Sequence, residues 1–174
     1  SLKREIGELK MFFGNREIST TTLVKSFLIG EVLETPPVLG YDLLSISLGQ
    51  SDGVEIGQKV YFSSNVVIGE VVEVFADSSR VRLYSSPEKE TQGRVGTSTE
   101  FVTLYGSGGG NFKAAVPHGL NIVLGDVVLT SGEVGSILGS VYYVEDSATA
   151  EGSKNIYIRF PFNLNRLKKV FIER

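Results

Sequence analysis

Short segments of alternating apolar and polar residues run along most of the chain and predict a protein made of β-strands. Tyr41–Leu48, Arg80–Tyr84 and Asn155–Phe160 alternate most regularly, with an apolar side chain at every second position. Because successive side chains of a strand point to opposite faces, this pattern is typical of strands with one buried face. Further strands are predicted at 23–33, 58–63, 66–74, 91–96, 100–105, 112–116, 122–129, 137–144 and 167–172.

One segment near the N-terminus follows a helical pattern instead. Leu2, Ile6, Leu9 and Phe13 are spaced four, three and four residues apart, which is the spacing of a coiled-coil heptad. The pattern begins without a capping sequence, so we expect the helix to continue upstream. These four side chains are then the candidate seam of a homodimer. The alternative is an amphipathic helix that packs on the strands.

An internal repeat predicts two similar domains. Each copy has a glycine turn, a strand, a second turn and then the pattern Gly-x-Val-x-x-Val. The first copy runs from Asp52 through Gly57 to Val74, and the second runs from His118 through Gly125 to Val144. We therefore expect the end of a coiled-coil helix at residues 1–18, a first small β-barrel of about six strands at 19–98 and a second at 99–174.

The repeat also makes a prediction about backbone conformation. Gly57 and Gly125 hold equivalent turn positions ahead of a strand. Glycine is the residue that adopts a positive φ without steric cost. We expect a positive φ at one or both of these positions.

Composition supports the all-β class and narrows the chemistry. The chain has 21 Val and 11 Ile against only 5 Ala, and β-branched side chains favour sheets. It has no Cys, which excludes disulfides, thiol nucleophiles and cysteine zinc sites. The net charge is −3, and residues 27–153 carry 6 basic and 16 acidic side chains, which argues against nucleic acid as a partner. No apolar run approaches the ~18 residues of a membrane helix.

Catalytic chemistry is not indicated by any motif. His118 is the only imidazole, and it stands where the first repeat has Asp52, so we interpret it as a turn residue. A Ser-His-Asp arrangement, a phosphate-binding loop and metal-ligand spacing are all missing from the sequence. We therefore predict no catalytic, cofactor-binding or metal-binding residues.

The repeated turns resemble those of a known family. The pieces that carry the resemblance are 41–42, 49–54, Gly57, Val60, 68–74, 78–83 and 125–132. The turn residues among them are Asp52, Gly53, Gly57, Gly69, Gly125, Asp126, Thr130, Ser131 and Gly132. In combination with the heptad helix and the basic C-terminal end, they are similar to the rod shape-determining protein MreC family.

The resemblance implies a non-enzymatic scaffold of the bacterial cell-wall elongation complex, which maintains rod shape by organising peptidoglycan synthases. It implies a single-pass protein of the cytoplasmic membrane, whose membrane helix is absent from this fragment and whose barrels lie on the periplasmic or extracellular side. The implied partners are MreD, MreB, RodA and the elongation-specific penicillin-binding protein, with no cofactor. The alternative is a cell-envelope β-barrel hydrolase, with His118 as its base, or a carbohydrate-binding module that uses aromatics such as Tyr142 and Tyr143.

Overall fold

The computed structural model describes residues 26–36, 42–87, 89–132, 135–145 and 152–174. Twelve strands and two three-residue 3₁₀ turns form within these ranges, so the predicted all-β class is confirmed. The strands are β1 (Phe27–Glu34), β2 (Leu43–Ile46), β3 (Lys59–Ser63), β4 (Val66–Val74), β5 (Ser79–Leu83), β6 (Glu90–Val95), β7 (Val102–Gly108), β8 (Asn111–Pro117), β9 (Val127–Thr130), β10 (Ile137–Glu145), β11 (Ser153–Arg159) and β12 (Lys169–Glu173); the turns are Gln50–Asp52 and Leu164–Arg166. Each strand overlaps a segment that the alternation predicts.

Six of the strands close a barrel. They pair antiparallel in the order β4, β3, β12, β1, β2, β5, and β5 pairs back with β4. The alternation of the sequence sets the inside and the outside of the wall. In β5, Val81 and Leu83 are fully buried while Arg82 between them is exposed. We call β1–β5 together with β12 the barrel.

The other six strands pair among themselves. Their order is β9, β6, β7, β8, β11, β10, each pair is antiparallel, and β10 also pairs with β9. Phe112, Leu138, Ile156 and Ile158 are fully buried between these strands. We call β6–β11 the second strand group.

Two strands pair across the boundary that the sequence places between the two domains. β12 lies between β1 and β3, where Phe171 pairs with Ile29 and Tyr61, so the C-terminal strand of the expected 99–174 unit belongs to the barrel. β6 pairs with β7 and β9, although it precedes the expected boundary between residues 98 and 99. Local alternation identifies a strand but carries no information about a partner more than a hundred residues away.

The barrel and the second strand group meet along β4 and β10. Val66 pairs with Ile137 in a parallel register, and the Ile137 amide donates to the Asn65 carbonyl at 2.7 Å. Phe62 of β3 stacks on Phe162, between β11 and β12, with ring centroids 4.3 Å apart. The two strand groups therefore contact each other through both backbone and side chains.

The predicted N-terminal helix lies outside the residues that the structure describes. This applies to the whole 1–18 segment and to its seam, Leu2, Ile6, Leu9 and Phe13. The helix and the dimer that it predicts stay predictions.

Candidate interaction face

The glycines of the repeated turns adopt matching conformations in both copies. Gly57 has φ +91° and Gly125 has φ +92°, which confirms the prediction of a positive φ. Their amides donate to equivalent carbonyls, those of Val71 and Val141, at 2.8 Å each. The repeat in the sequence is therefore a repeat of backbone structure.

A second glycine of the repeat marks a close approach of two strands. A Cβ on Gly69 would lie 2.3 Å from the Arg82 carbonyl oxygen, and one on Gly139 would lie 2.3 Å from that of Arg159. Because real Cβ atoms do not approach an oxygen so closely, only glycine fits here. These positions shape the sheets and bring no reactive groups together.

The remaining motif residues build turns. Asp52 accepts a hydrogen bond from the Gly49 amide at 3.0 Å, and Asp126 accepts one from the Val123 amide at 2.9 Å. Thr130 accepts from the Ser136 amide, the Ser131 amide donates to Gln92, and Gly53 and Gly132 have positive φ. The sequence motif is thus a structural one.

The surroundings of the candidate base His118 are those of an exposed turn. Its backbone amide donates to the Gly152 carbonyl at 2.8 Å, which closes the turn beside β8 and β11. The described part of the chain contains no cluster of three or more His, Asp or Glu side chains suited to a metal ion. Nor does that part contain an apolar helix of membrane-spanning length.

An exposed apolar surface lies on the second strand group, and the sequence pattern indicated only Tyr142 and Tyr143 among its residues. Five apolar side chains there are between 40% and 64% exposed: Val123, Leu124, Val127, Tyr142 and Tyr143. The bond from Gly125 to Val141 holds the turn that carries Val123 and Leu124 beside β10. With Tyr157, whose ring centroid is 5.6 Å from that of Tyr143, these residues form what we call the tyrosine face.

The other copy of the repeat provides an internal comparison for this surface. Aligned on the matching glycine and valine positions, the five exposed residues of the tyrosine face correspond to Glu55, Ile56, Lys59, Val72 and Glu73 of the barrel. Three of these five counterparts are charged, whereas all five residues of the second copy are apolar or tyrosine. The same backbone therefore presents a mixed polar surface in one copy and an apolar surface in the other.

One cross-strand pair shows the difference between the copies directly. In the barrel, Glu73 faces Arg80 across β4 and β5, and the two side chains form an ion pair at 2.9 Å. The matching pair across β10 and β11 is Tyr143 with Tyr157. An ion pair in one copy is thus replaced by two contacting tyrosine rings in the other.

Charged side chains hold the tyrosine rings in place. The Tyr157 hydroxyl donates to the Glu145 carboxylate at 3.0 Å, and this hydrogen bond raises the pKa of Tyr157. The Arg159 guanidinium lies 5.2 Å from the Tyr142 ring centroid, and the Lys113 ammonium lies 5.8 Å from that of Tyr157. The face therefore combines aromatic rings that contact one another with a cationic rim.

Contiguous exposed apolar surface is unfavourable in water and marks sites of association. Tyrosine and arginine are enriched where proteins bind one another, because they bury large areas at little cost in conformational entropy. The tyrosine face has both residue types on adjacent strands of a rigid sheet. Its geometry is suited to binding a macromolecular partner.

Residues 32–174 match the family model described as rod shape-determining protein MreC, barrel core. The chain belongs to the MreC family. The resemblance seen in the sequence is confirmed, and membership of this family supports a role in determining cell shape. Among curated protein sequences, none matches this chain.

Solved structures of the family share the fold. MreC from Pseudomonas aeruginosa is 21% identical, with a TM-score of 0.76 over 86% of this chain and 99% of that one. A structure described as the major periplasmic domain from the cell shape-determining filament MreC is 19% identical, with a TM-score of 0.62 over 86% and 95%. A third is a complex between penicillin-binding protein PBP2 and MreC from Helicobacter pylori, 17% identical, with a TM-score of 0.56 over 87% and 99%.

Proposed function

We propose that this chain is an extracytoplasmic scaffold of the cell-wall elongation complex and that it binds a penicillin-binding protein through the tyrosine face. The observation that carries the proposal is the replacement of charged residues by apolar ones at equivalent exposed positions of the repeat. Membership of the MreC family and the complex of a structural relative with a penicillin-binding protein support it.

Two rings of the tyrosine face have contacts within the chain that restrict their rotation. Tyr157 is held by Glu145, and Tyr142 lies under Arg159. Ordering a side chain at an interface costs about 0.5–1.5 kcal/mol, and a side chain that is already ordered avoids most of this cost. The face is therefore suited to act as an anchor for a partner with an apolar surface.

Affinity for the periplasmic part of the cognate penicillin-binding protein tests this proposal. Tyr142→Glu places a carboxylate in the centre of the face, and we expect the dissociation constant to rise by about 30-fold, the equivalent of ~2 kcal/mol. The matched control is Val72→Glu, at the equivalent position of the barrel, which leaves the affinity unchanged. Equal affinities of the two variants would contradict the proposal.

A carbohydrate-binding module is the alternative that the exposed rings favour, because aromatic faces also suit sugars. The same two variants separate the alternatives when they are titrated with soluble peptidoglycan fragments. Loss of sugar binding in Tyr142→Glu, with unchanged affinity for the penicillin-binding protein, would favour the module.

We also infer that the second strand group closes as a second barrel. The return pairing of β10 with both β9 and β11 supports closure, because each of the six strands then has two neighbours. Closing a sheet removes its exposed edges and the aggregation that edges promote. We propose the two-domain organisation of residues 19–98 and 99–174, with β6 assigned to the second barrel and β12 to the first because of their pairing.

The remaining expectations concern the segment before β1 and the assembly. We propose the coiled-coil helix at residues 1–18, a membrane anchor upstream of it, a homodimer through the helix seam, and MreD, MreB and RodA as further partners. The description of a structural relative as a filament supports self-association. Sedimentation equilibrium of the chain and of its Leu2→Asp/Leu9→Asp variant tests the dimer, which the double variant is expected to lose.

A further inference from the structure

Asp42 is a buried carboxylate whose partners lie outside its own strand. The residue is 4% exposed and sits just before β2 with φ +50°, in the left-handed region. The Ser85 hydroxyl donates to Oδ2 at 2.5 Å, and the Gly109 amide donates to Oδ1 at 2.9 Å and to Oδ2 at 3.1 Å. A strained backbone conformation is retained where the surrounding contacts enforce it.

The carboxylate is bound by a glycine loop of the second strand group. Gly108, Gly109 and Gly110, in the β7–β8 hairpin, have φ of +89°, +65° and +87°. The Gly109 amide is the one that contacts the carboxylate, and the Gly108 amide beside it donates to the Ser85 carbonyl at 2.7 Å. The Gly110 amide completes the network by donating to the Ser85 hydroxyl oxygen at 3.0 Å.

The loop has to be glycine for geometric reasons. A Cβ on Gly110 would lie 2.9 Å from the Phe160 ring, and a side chain at Gly109 would be strained by its positive φ. The Phe160 amide in turn donates to the Gly110 carbonyl at 2.8 Å. The loop is therefore anchored in the second strand group and donates its amides to Asp42, just before β2, and to Ser85, just after β5.

Within the part of the chain that the structure describes, the hydrogen-bond donors to the Asp42 carboxylate are neutral groups, a hydroxyl and a backbone amide. In the described residues, the ion pairs lie elsewhere, between Glu73 and Arg80 and between Glu70 and Lys89. Burying a carboxylate is costly unless hydrogen bonds replace its hydration. If the loop moved away, Asp42 would lose the amide that contacts both of its oxygens, so the carboxylate favours one arrangement of the two strand groups.

Space beside this contact would allow the loop to move if the contact were lost. A solvent-open cavity of about 720 Å³ adjoins it, lined among others by Asp42, Gly109, Pro87, Phe162 and Asn163. On this side, hydrogen bonds rather than close packing hold Gly108 and Gly109. The bonds to the Asp42 carboxylate act there together with the bond from Gly108 to the Ser85 carbonyl.

We infer that Asp42 is a positioning residue: by binding the Gly108–Gly110 loop, it fixes the angle between the barrel and the second strand group. It thereby sets the direction in which the tyrosine face points. The expected effect on partner binding rests on the proposed function, whereas the effect of Asp42 on the angle does not.

Distance measurement between two spin labels tests the inference. The chain has no Cys, so Lys59→Cys on the barrel and Ala115→Cys on the second strand group, both exposed, give one label on each. In this background we expect a single narrow distance distribution by double electron–electron resonance. Asp42→Ala should at least double its width. Asp42→Asn, which keeps one acceptor oxygen for Gly109, should give an intermediate width.

Ser79→Ala is the matched control for this experiment. Ser79 is also a buried serine, but its hydroxyl donates to the Leu48 carbonyl within the barrel, at 2.6 Å. We expect its loss to lower the melting temperature without broadening the distance distribution, whereas Ser85→Ala should broaden it. Folded Asp42→Ala and Ser85→Ala proteins with the wild-type distribution would overturn the inference, and if Asp42→Ala does not fold, Ser85→Ala alone decides it. Failure of the tyrosine-face variants to weaken partner binding would leave this result untouched.

Discussion

Gly57 and Gly125 form the same turn in the two copies of the repeat, and Asp42 joins segments that are distant along the chain. The conformations of Gly57 and Gly125 follow from local turn chemistry, so they were predictable from the residues alone. The role of Asp42 was not, because its partners, Ser85 and Gly109, are 43 and 67 residues away.

Two glycines of the barrel should differ in their tolerance of a side chain. The methyl group that Gly57→Ala adds meets no neighbouring atom. This variant should therefore lose only the stability that a positive φ costs alanine, roughly 1–2 kcal/mol. Gly69→Ala drives a methyl group against the Arg82 carbonyl, which cannot move without disturbing the pairing of β4 with β5. We expect Gly69→Ala to lower the free energy of unfolding, measured with urea, about twice as much as Gly57→Ala. The opposite order would show that the sheet adjusts at β4.

Tyr84 should make stability depend on alkaline pH. Its hydroxyl donates to Glu70 at 2.9 Å, and burial, followed by the charge of Glu70, raises the pKa of Tyr84. The unfolded chain ionises this tyrosine near pH 10, before the folded protein does, so the contribution to stability is complete below that pH and is lost above it. Unfolding free energies of the wild type should fall by about 1.4 kcal/mol per pH unit above pH 10 on this account alone. Tyr84→Phe should lack this component, whereas Tyr105→Phe, at an exposed tyrosine, should keep it.

Strands were the most predictable elements and their partners the least. Alternation located all twelve strands because each has one buried face, as Val170 and Ile172 show in β12. It did not reveal that β12 returns to the barrel, since the register of a distant pairing is not encoded in local pattern. The strand expected at 122–129 also begins later, at Val127, because Leu124 and Gly125 turn the chain.

The return of β12 predicts which strands weaken when it is damaged. Val170→Ala and Ile172→Ala each remove buried methyl groups from the barrel core, at about 1–4 kcal/mol each. We expect faster hydrogen exchange of the amides in β1 and β3, which flank β12, with little change in β7 and β8. Larger losses of protection in β7 and β8 would contradict the assignment of β12 to the barrel.

At the scale of the whole molecule, one supersecondary unit occurs twice with two different surfaces. The sequence repeat was visible, and Tyr142 and Tyr143 were noticed as an adjacent pair, but exposure is needed to see them as part of a face. Comparing the two copies position by position would have found the signal, because Glu73 and Arg80 align with Tyr143 and Tyr157. Retained backbone turns with a changed surface support the proposal of one binding side.

Exchange of this one cross-strand pair tests the central claim most directly. Tyr143→Glu/Tyr157→Arg gives the second strand group the ion pair that the barrel carries, so the fold is preserved while the aromatic face is lost. The control, Glu73→Tyr/Arg80→Tyr, replaces the ion pair of the barrel with two tyrosines. We predict at least 30-fold weaker binding to the periplasmic part of the cognate penicillin-binding protein for the first variant, ~2 kcal/mol or more, and wild-type affinity for the second. Wild-type affinity of Tyr143→Glu/Tyr157→Arg would contradict the account.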